Sequence, residues 1–293
     1  MSAQPTRRAE RPLVAMLLVG VLAGWALEQL VPDPGPGRFA APGALPLIAA
    51  AIAAAAIPQV GRSGVWCAQP ALRWAAVVLL VWVANGLPFD LLTMAGLIGH
   101  RTASGAMVIS TVYWPGLVTR AFSVAAAAVL ARLALAAPVA APSRGSRGWY
   151  GYAAFVFALP YPLLRTHWAL GGTLGIGWPG AAGEGWEPLL IAIPWVLAAV
   201  LSLALAFAPA AIPRRVLLAG GWCGTVIVAM IGPAAVWSLV TDVAAGKDIG
   251  SGGIAGWVFA LFYGSWFLWA IAAGAATRSY QSRTARPRAP AAV

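Results

Sequence analysis

The sequence predicts an all-α polytopic membrane protein, a transmembrane helix bundle with about eight spans. The 293-residue chain is 61% hydrophobic and 9% charged, whereas an ordinary soluble domain carries about 25% charged residues. Its apolar residues fall in runs of about 20, the length that crosses about 30 Å of hydrocarbon. Its basic residues alternate with these runs, which is typical of a chain oriented in a lipid bilayer.

The first two predicted spans need separate arguments. The first, near residues 13–31, has the basic start and apolar centre of a secretory signal. Its apolar run exceeds the usual length of about 7–15 residues, so we interpret it as a span. The second, near 43–60, is the weakest because it is mostly alanine. Ahead of the first span, residues 1–12 form a basic N-terminal segment.

The remaining six spans follow from longer apolar runs. We place them near residues 72–92, 112–137, 149–170, 188–209, 215–240 and 254–276. The last is rich in aromatic side chains, in "WVFALFYGSWFLW", which packing explains. Residues 277–293 complete the chain as a basic tail that we expect to be disordered.

The distribution of basic residues predicts the orientation. With the N-terminus in the cytoplasm, 14 of the 19 basic residues fall in inner segments, three fall in outer loops, and Arg120 and Arg165 lie inside spans. This positive-inside bias predicts a cell-membrane protein with both termini in the cytoplasm and the lipid bilayer as its main partner. The formal net charge of +11 is spread between spans rather than gathered on one face, so we expect no nucleic-acid partner.

Polar residues collect toward the predicted outer side. Seven of the eight acidic residues lie there. The candidate binding residues at that end of the spans are Glu28, Asn85, Asp90, Arg120, Arg165 and His167. Charged side chains within a membrane are costly and commonly functional, although the cost falls toward the interface.

Two interpretations of these residues stay open. In one, Arg120 and Arg165 are interfacial anchors, or pair with Asp90 or Glu28 only to join helices. In the other, the six residues line a polar cavity that is open to the extracytoplasmic side. Prolines at a similar depth favour the cavity, because each removes a helical hydrogen bond and is expected to break its span; they are Pro88, Pro160 with Pro162, and Pro233.

A faint internal repeat recurs at 72 residues. "LPFDLL" from Leu87 is echoed by "LPYPLL" from Leu159, and "WPGL" from Trp114 by "WEPL" from Trp186. Repeated helical hairpins would produce this spacing, and so would chance alignment of alanine-rich helices.

The sequence offers no pattern for a metal or a cofactor. Cys67 and Cys223 have no Cys or His neighbour at ligand spacing, and two histidines are too few for a His-rich site. "GGTLGIG" follows a predicted membrane helix rather than a strand, so it does not fit a dinucleotide fingerprint. We therefore expect neither a metal nor a cofactor.

One segment resembles known proteins. In "RTHWALGGTLG" the residues Arg165, His167, Trp168, Gly171 and Gly172 match a basic-x-HWALGG pattern. In this segment the chain resembles a group of uncharacterised actinobacterial integral membrane proteins. The resemblance covers about a dozen residues and implies no mechanism.

Three functions are consistent with these observations. The first is transport or binding of a small molecule through the polar cavity. The second is an enzyme that acts on a lipid or isoprenoid at the outer leaflet, with His167 as the group that exchanges a proton. The third is a non-catalytic membrane scaffold.

Overall fold

A computed structural model gives the fold of residues 5–31, 43–57, 69–95, 99–101, 107–109, 112–135, 148–178, 181, 183, 186–250 and 252–284. Apart from one short hairpin, the regular elements in these ranges are all helices. The chain divides into two units, Met1–Ala140 and Ala141–Val293. Each is described by itself.

Six helical segments among the described residues are long and apolar enough to cross a membrane. They are Glu10–Leu30, Ala71–Met94, Trp114–Leu135, Glu187–Phe207, Arg214–Ala244 and Gly256–Arg283. These segments support the prediction of a membrane protein built from apolar helices. The second and fifth predicted spans are not among these six. The second predicted span contains a helix of only 11 residues. The fifth is divided into two helices of 10 residues each.

The first unit contains five helices and a hairpin within its described residues. The helices are α1 (Pro5–Leu30), α2 (Leu45–Ala55), α3 (Gln69–Val83), α4 (Leu87–Met94) and α5 (Trp114–Leu135). Between α4 and α5, strands β1 (Gly99–Arg101) and β2 (Met107–Ile109) pair in antiparallel register, with His100 opposite Val108.

Helices α1 and α5 pack against each other in opposite directions. Glu10, near the start of α1, forms an ion pair of 2.8 Å with Arg132, near the end of α5. Further along α1, a Cβ at Gly24 would lie 2.8 Å from the backbone nitrogen of Thr119. Glycine is therefore required for this close approach of the two backbones.

Helix α3 runs in the same direction as α1. Near its start, Arg73 donates a hydrogen bond to the carbonyl of Leu133 at 3.4 Å, so α3 begins at the end of α5 where α1 also begins. The other end of α1 lies beside the residues that lead into α2, because the indole of Trp25 donates to the carbonyl of Gly43 at 2.9 Å. Between α1 and α3 the chain must therefore return across the unit, and α2 lies on that return.

The second unit contains five helices within its described residues. They are α6 (Trp149–Ala158), α7 (Pro160–Ala169), α8 (Glu187–Phe207), α9 (Arg214–Ala244) and α10 (Gly256–Arg283). Helices α6 and α7 together run opposite to α8, since Gly151 packs on Ser202 while Tyr161 packs on Trp195.

Helix α10 packs against α8 and α9. The indole of Trp269 donates to the hydroxyl of Ser202 at 3.1 Å, deep in a core of small side chains. Helix α10 runs parallel to α8 and antiparallel to α9, where Gly221 packs on Thr277 and Gly232 on the backbone of Phe267. Within this unit the chain thus alternates in direction at each successive pass.

The proline predictions are correct at two positions and wrong at one. Residues 84–86 separate α3 from α4, and Pro88 lies in the first turn of α4. Leu159 separates α6 from α7, and Pro160 opens α7. Helix α9 continues through Pro233. One missing backbone hydrogen bond is tolerated inside a long membrane helix when neighbouring helices pack around it, and Gly232 lets α10 approach closely there.

The helices at both ends of the chain extend beyond the predicted spans. Helix α1 begins at Pro5, inside the segment 1–12, and α10 continues to Arg283, inside the predicted tail 277–293. Residues 1–4, 58–60 at the end of the second predicted span, and 285–293 lie outside the described residues.

Candidate functional site

The interruption between α3 and α4 forms the centre of the candidate site. Gly86 adopts a positive φ of 91°, which allows a sharp change of direction at little steric cost. The amides of Phe89 and Asp90 both donate to the carbonyl of Gly86, at 2.9 and 3.0 Å, and so start α4. Asn85, immediately before this glycine, is 0% exposed. A polar side chain is thus enclosed at the point where the helix is broken.

Asp90 and Arg120 form an ion pair across α4 and α5. A terminal guanidinium nitrogen of Arg120 lies 2.6 Å from a carboxylate oxygen of Asp90, and the two side chains are 15% and 14% exposed. Asp90 is in the first turn of α4, where the helix dipole also favours a negative charge. Of the alternatives that the sequence left open for Arg120, the structure has the ion pair, and the partner is Asp90.

Glu28 is not the acidic partner of Arg120. Its carboxylate makes no ion pair within the residues that the structure describes. Its backbone carbonyl accepts a hydrogen bond of 3.4 Å from the hydroxyl of Tyr113, which also donates to the carbonyl of Val31. Tyr113 therefore fixes the end of α1 against the start of α5, a contact that sequence reasoning missed.

Arg165 lies between two aromatic rings of its own helix. Its guanidinium carbon is 5.1 Å from the ring centre of Tyr161 and 5.2 Å from that of Trp168. These are cation–π distances, and the rings precede and follow Arg165 by four and three residues on one face of α7. That spacing in the sequence is a signal from which the contact can be predicted.

His167 belongs to the C-terminal cap of α7. Gly171 has a φ of 85°, and its amide donates to the carbonyl of Trp168 at 2.9 Å. The amide of Gly172 donates to the carbonyl of His167 at the same distance. These two bonds form a Schellman motif, the common ending of a helix at glycine.

The side chains of His167 and Trp168 hold the segment that follows this motif. The amide of Leu174 donates to Nε2 of His167 at 3.3 Å. The indole of Trp168 donates to the carbonyl of Leu174 at 2.8 Å. The imidazole is therefore engaged in local structure through its Nε2 atom.

The chain after this cap pairs with the segment that leads into α10. The amide of Gly177 donates to the carbonyl of Gly253 at 2.7 Å, and that of Ala255 donates to the carbonyl of Gly175 at 2.8 Å. Two backbone bonds at this spacing fix the loop, so the "GGTLGIG" segment is a hydrogen-bonded structure rather than a loose turn.

Aromatic side chains fill the interior beside α7. Trp195 of α8 and Trp266 of α10 stack with ring centres 4.9 Å apart and planes 16° apart. Tyr161 lies 4.5 Å from Phe262, and Trp168 lies 6.0 Å from the same ring. The cluster agrees with the packing role expected for the aromatic segment of the last span.

The predicted site residues divide between the two units. Asn85, Asp90 and Arg120 lie around the α3–α4 interruption of the first unit, and Arg165 and His167 lie on α7 of the second. A cavity shared by all six predicted residues stays a prediction. Within the described part of the chain, no three His, Cys, Asp or Glu residues lie together as a metal site would require.

Comparison of the chain with protein-family models, with curated proteins and with solved structures finds no match. The resemblance of "RTHWALGGTLG" to actinobacterial membrane proteins stays a prediction. The cap of α7 supplies a structural reason for its His, Trp and paired Gly residues.

Proposed function

We propose that this chain is an eight-span cell-membrane protein, with both termini in the cytoplasm, that binds and transports a small polar solute. The solute enters from the extracytoplasmic side and binds around the interruption between α3 and α4. The helix directions fit eight spans, because successive helical segments among the described residues of each unit alternate in direction, although six of them are long enough to cross a membrane on their own. The excess of basic residues in inner segments supports the orientation.

The observation that carries the proposal is an ion pair and an enclosed amide beside a broken membrane helix. Asp90 and Arg120 are each about 15% exposed, and Asn85 is fully buried. Ionisable groups within a membrane domain are expensive, and their usual roles include substrate and ion pathways. Interrupted helices in transporters place backbone and side-chain polar groups around the solute.

The chemistry of these three residues defines the kind of solute. Arg120 offers only hydrogen-bond donors, Asp90 offers acceptors, and the amide of Asn85 offers both. A solute with an anionic and a cationic or hydroxyl group would replace the Arg120–Asp90 pair with two contacts of its own. We therefore expect a small zwitterionic or hydroxylated molecule rather than an apolar one.

The 72-residue repeat fits the same proposal. "LPFDLL" opens α4 and "LPYPLL" opens α7, so both copies begin the second half of an interrupted helix. "WPGL" opens α5, and "WEPL" leads into α8. We interpret α3–α4–α5 and α6–α7–α8 as two copies of one helical hairpin.

The proposal is tested by a thermal-unfolding screen of the purified full-length protein in detergent. The probes are amino acids, hydroxy acids, sugars and polyamines, each added singly. We expect at least one class to raise the unfolding temperature of the native chain and to lose this effect in Asp90→Asn and Arg120→Gln. A stabilising solute whose effect is unchanged in both variants would refute this site.

The two alternatives have less support. An enzyme at the outer leaflet needs His167 to exchange a proton. Nε2 of His167, however, already accepts a hydrogen bond from the amide of Leu174. Substituting His167→Gln would abolish turnover of such an enzyme and leave solute binding at Asp90 intact. A non-catalytic scaffold would show neither turnover nor a stabilising solute.

A further inference from the structure

Arginines join three helices at one end of the second unit. There α8 ends, α9 begins and α10 ends. A terminal nitrogen of Arg283 on α10 donates to the carbonyl of Leu205 on α8 at 2.8 Å. Nε of Arg214, at the start of α9, donates to the hydroxyl of Thr284 at 2.8 Å. These bonds hold two guanidinium groups at the same end of the helix bundle.

Negative charge within the described residues of this unit lies at the opposite end. Glu187 opens α8, Asp242 is in the last turn of α9, and Asp248 precedes α10. The end that carries Arg214 and Arg283 also carries Arg215, which is exposed. Because no described carboxylate of the unit lies there, the arginines form a surface of one charge sign.

Two of these arginines have donors to offer a ligand. Arg214 uses Nε for Thr284, and its two terminal nitrogens make no hydrogen bond within the described residues. Arg215 makes none among those residues either and is open to the surroundings. A guanidinium group presents its donors in a planar fork that matches two oxygens of a phosphate.

Exposed apolar side chains lie at the same end of the second unit as these arginines. Val216, the next residue after Arg215, is 58% exposed, and Phe207, at the end of α8, is 65% exposed. Phe207 makes an edge contact with Tyr152 of α6, which is itself exposed. This end of the unit thus carries both cationic donors and exposed apolar side chains on membrane-type helices.

We propose that this end of the second unit binds an anionic phospholipid. The headgroup phosphate contacts Arg214 and Arg215, and an acyl chain lies along Val216 and Phe207. The exposed apolar side chains at this end favour a lipid over free phosphate, which would use only the guanidinium groups. Basic sites at the ends of membrane helices recognise anionic headgroups in this way.

The test measures binding of phosphatidylglycerol to the purified full-length protein in detergent, by native mass spectrometry across a lipid titration. Phosphatidylcholine with the same acyl chains serves as the zwitterionic comparison. We expect the native chain to prefer phosphatidylglycerol, and the double variant Arg214→Gln/Arg215→Gln to bind it about 30-fold more weakly.

The matched control also removes two positive charges. Lys247→Gln/Arg132→Gln changes two exposed cations that already pair with Asp242 and Glu10, and it should leave phosphatidylglycerol binding unchanged. The single variant Arg215→Gln should give an intermediate loss while leaving the Arg214–Thr284 bond in place. Unchanged affinity in the Arg214→Gln/Arg215→Gln variant, equal affinity for phosphatidylcholine, or displacement of the lipid by millimolar inorganic phosphate would each overturn the proposal.

Discussion

The imidazole of His167 occupies the space into which a Cβ of Gly172 would project. The same imidazole accepts the amide of Leu174 through Nε2. The ring is thus packed against a glycine on one side and bonded to the backbone on the other. This arrangement accounts for the His, the second Gly and their spacing by local structure.

Substituting Gly172→Ala should lower the free energy of unfolding by about 1 kcal/mol, because the added methyl group displaces the ring and breaks its hydrogen bond to Leu174. In a His167→Ala background the same substitution should cost little, since the ring is already gone. Thermal unfolding of the four proteins of this double-mutant cycle measures the coupling.

Gly171→Ala provides the control for that cycle. Its cost comes from the φ of 85°, about 1–2 kcal/mol for a residue with a Cβ. The cost should be the same with His167 present or absent. If Gly172→Ala were equally insensitive to His167, the packing of the ring on this glycine would not be the reason for the glycine.

A second prediction concerns close packing of α6 on α8. A Cβ at Gly151 would lie 2.8 Å from the carbonyl oxygen of Ser202 and 2.7 Å from the Cβ of Ala206. Gly151→Ala should therefore destabilise the protein by about 1–3 kcal/mol. Gly264→Ala is the matched control, because a Cβ there meets nothing within 4 Å, and it should stabilise by up to about 1 kcal/mol. Equal effects of the two substitutions on the unfolding temperature would contradict the described contact.

A third prediction concerns orientation in the membrane. A reporter that is active only outside the cytoplasm should be active when fused after Trp178 and silent when fused after Arg144. The physical reason is the excess of arginine in the segments placed inside. The reverse result would invert the topology and move the Asp90–Arg120 pair to the cytoplasmic side.

Parts of the fold can be predicted from the sequence because they depend mainly on residues that are near each other along the chain. Long apolar runs predict membrane helices, and a proline within such a run predicts the interruptions at Pro88 and Pro160. Pro233 is different, since tertiary packing of α10 against Gly232 supports a continuous helix there. The presence of a proline in the sequence does not reveal whether a distant helix packs beside it and stabilises the continuous helix.

Some contacts of the candidate site could also be predicted from the sequence, and others could not. An arginine and an aspartate at one depth must lie near each other if their spans are neighbours, and Arg120 and Asp90 are. The rings around Arg165 were readable from their spacing on one helix. The contact of Tyr113 with the end of α1 joins residues 82 apart, so it depended on a helix pairing that the sequence did not specify.

A fourth prediction concerns the cost of breaking the ion pair. Asp90→Asn leaves Arg120 largely buried without its counter-charge, and should lower the free energy of unfolding by about 3 kcal/mol. Arg120→Gln should cost a similar amount. Asp242→Asn is the control, because its pair with Lys247 is exposed and should contribute less than about 1 kcal/mol.

The most direct test of the central claim exchanges the two charges in the double variant Asp90→Arg/Arg120→Asp. If Asp90 and Arg120 bind a solute, the exchanged pair should recover most of the stability lost in the single variants but not the thermal shift that the solute gives the native chain. The measurement is the unfolding temperature of the native and exchanged proteins with and without that solute. An undiminished solute-dependent shift in the exchanged protein would show that Asp90 and Arg120 only join α4 to α5, and would contradict the proposed binding site.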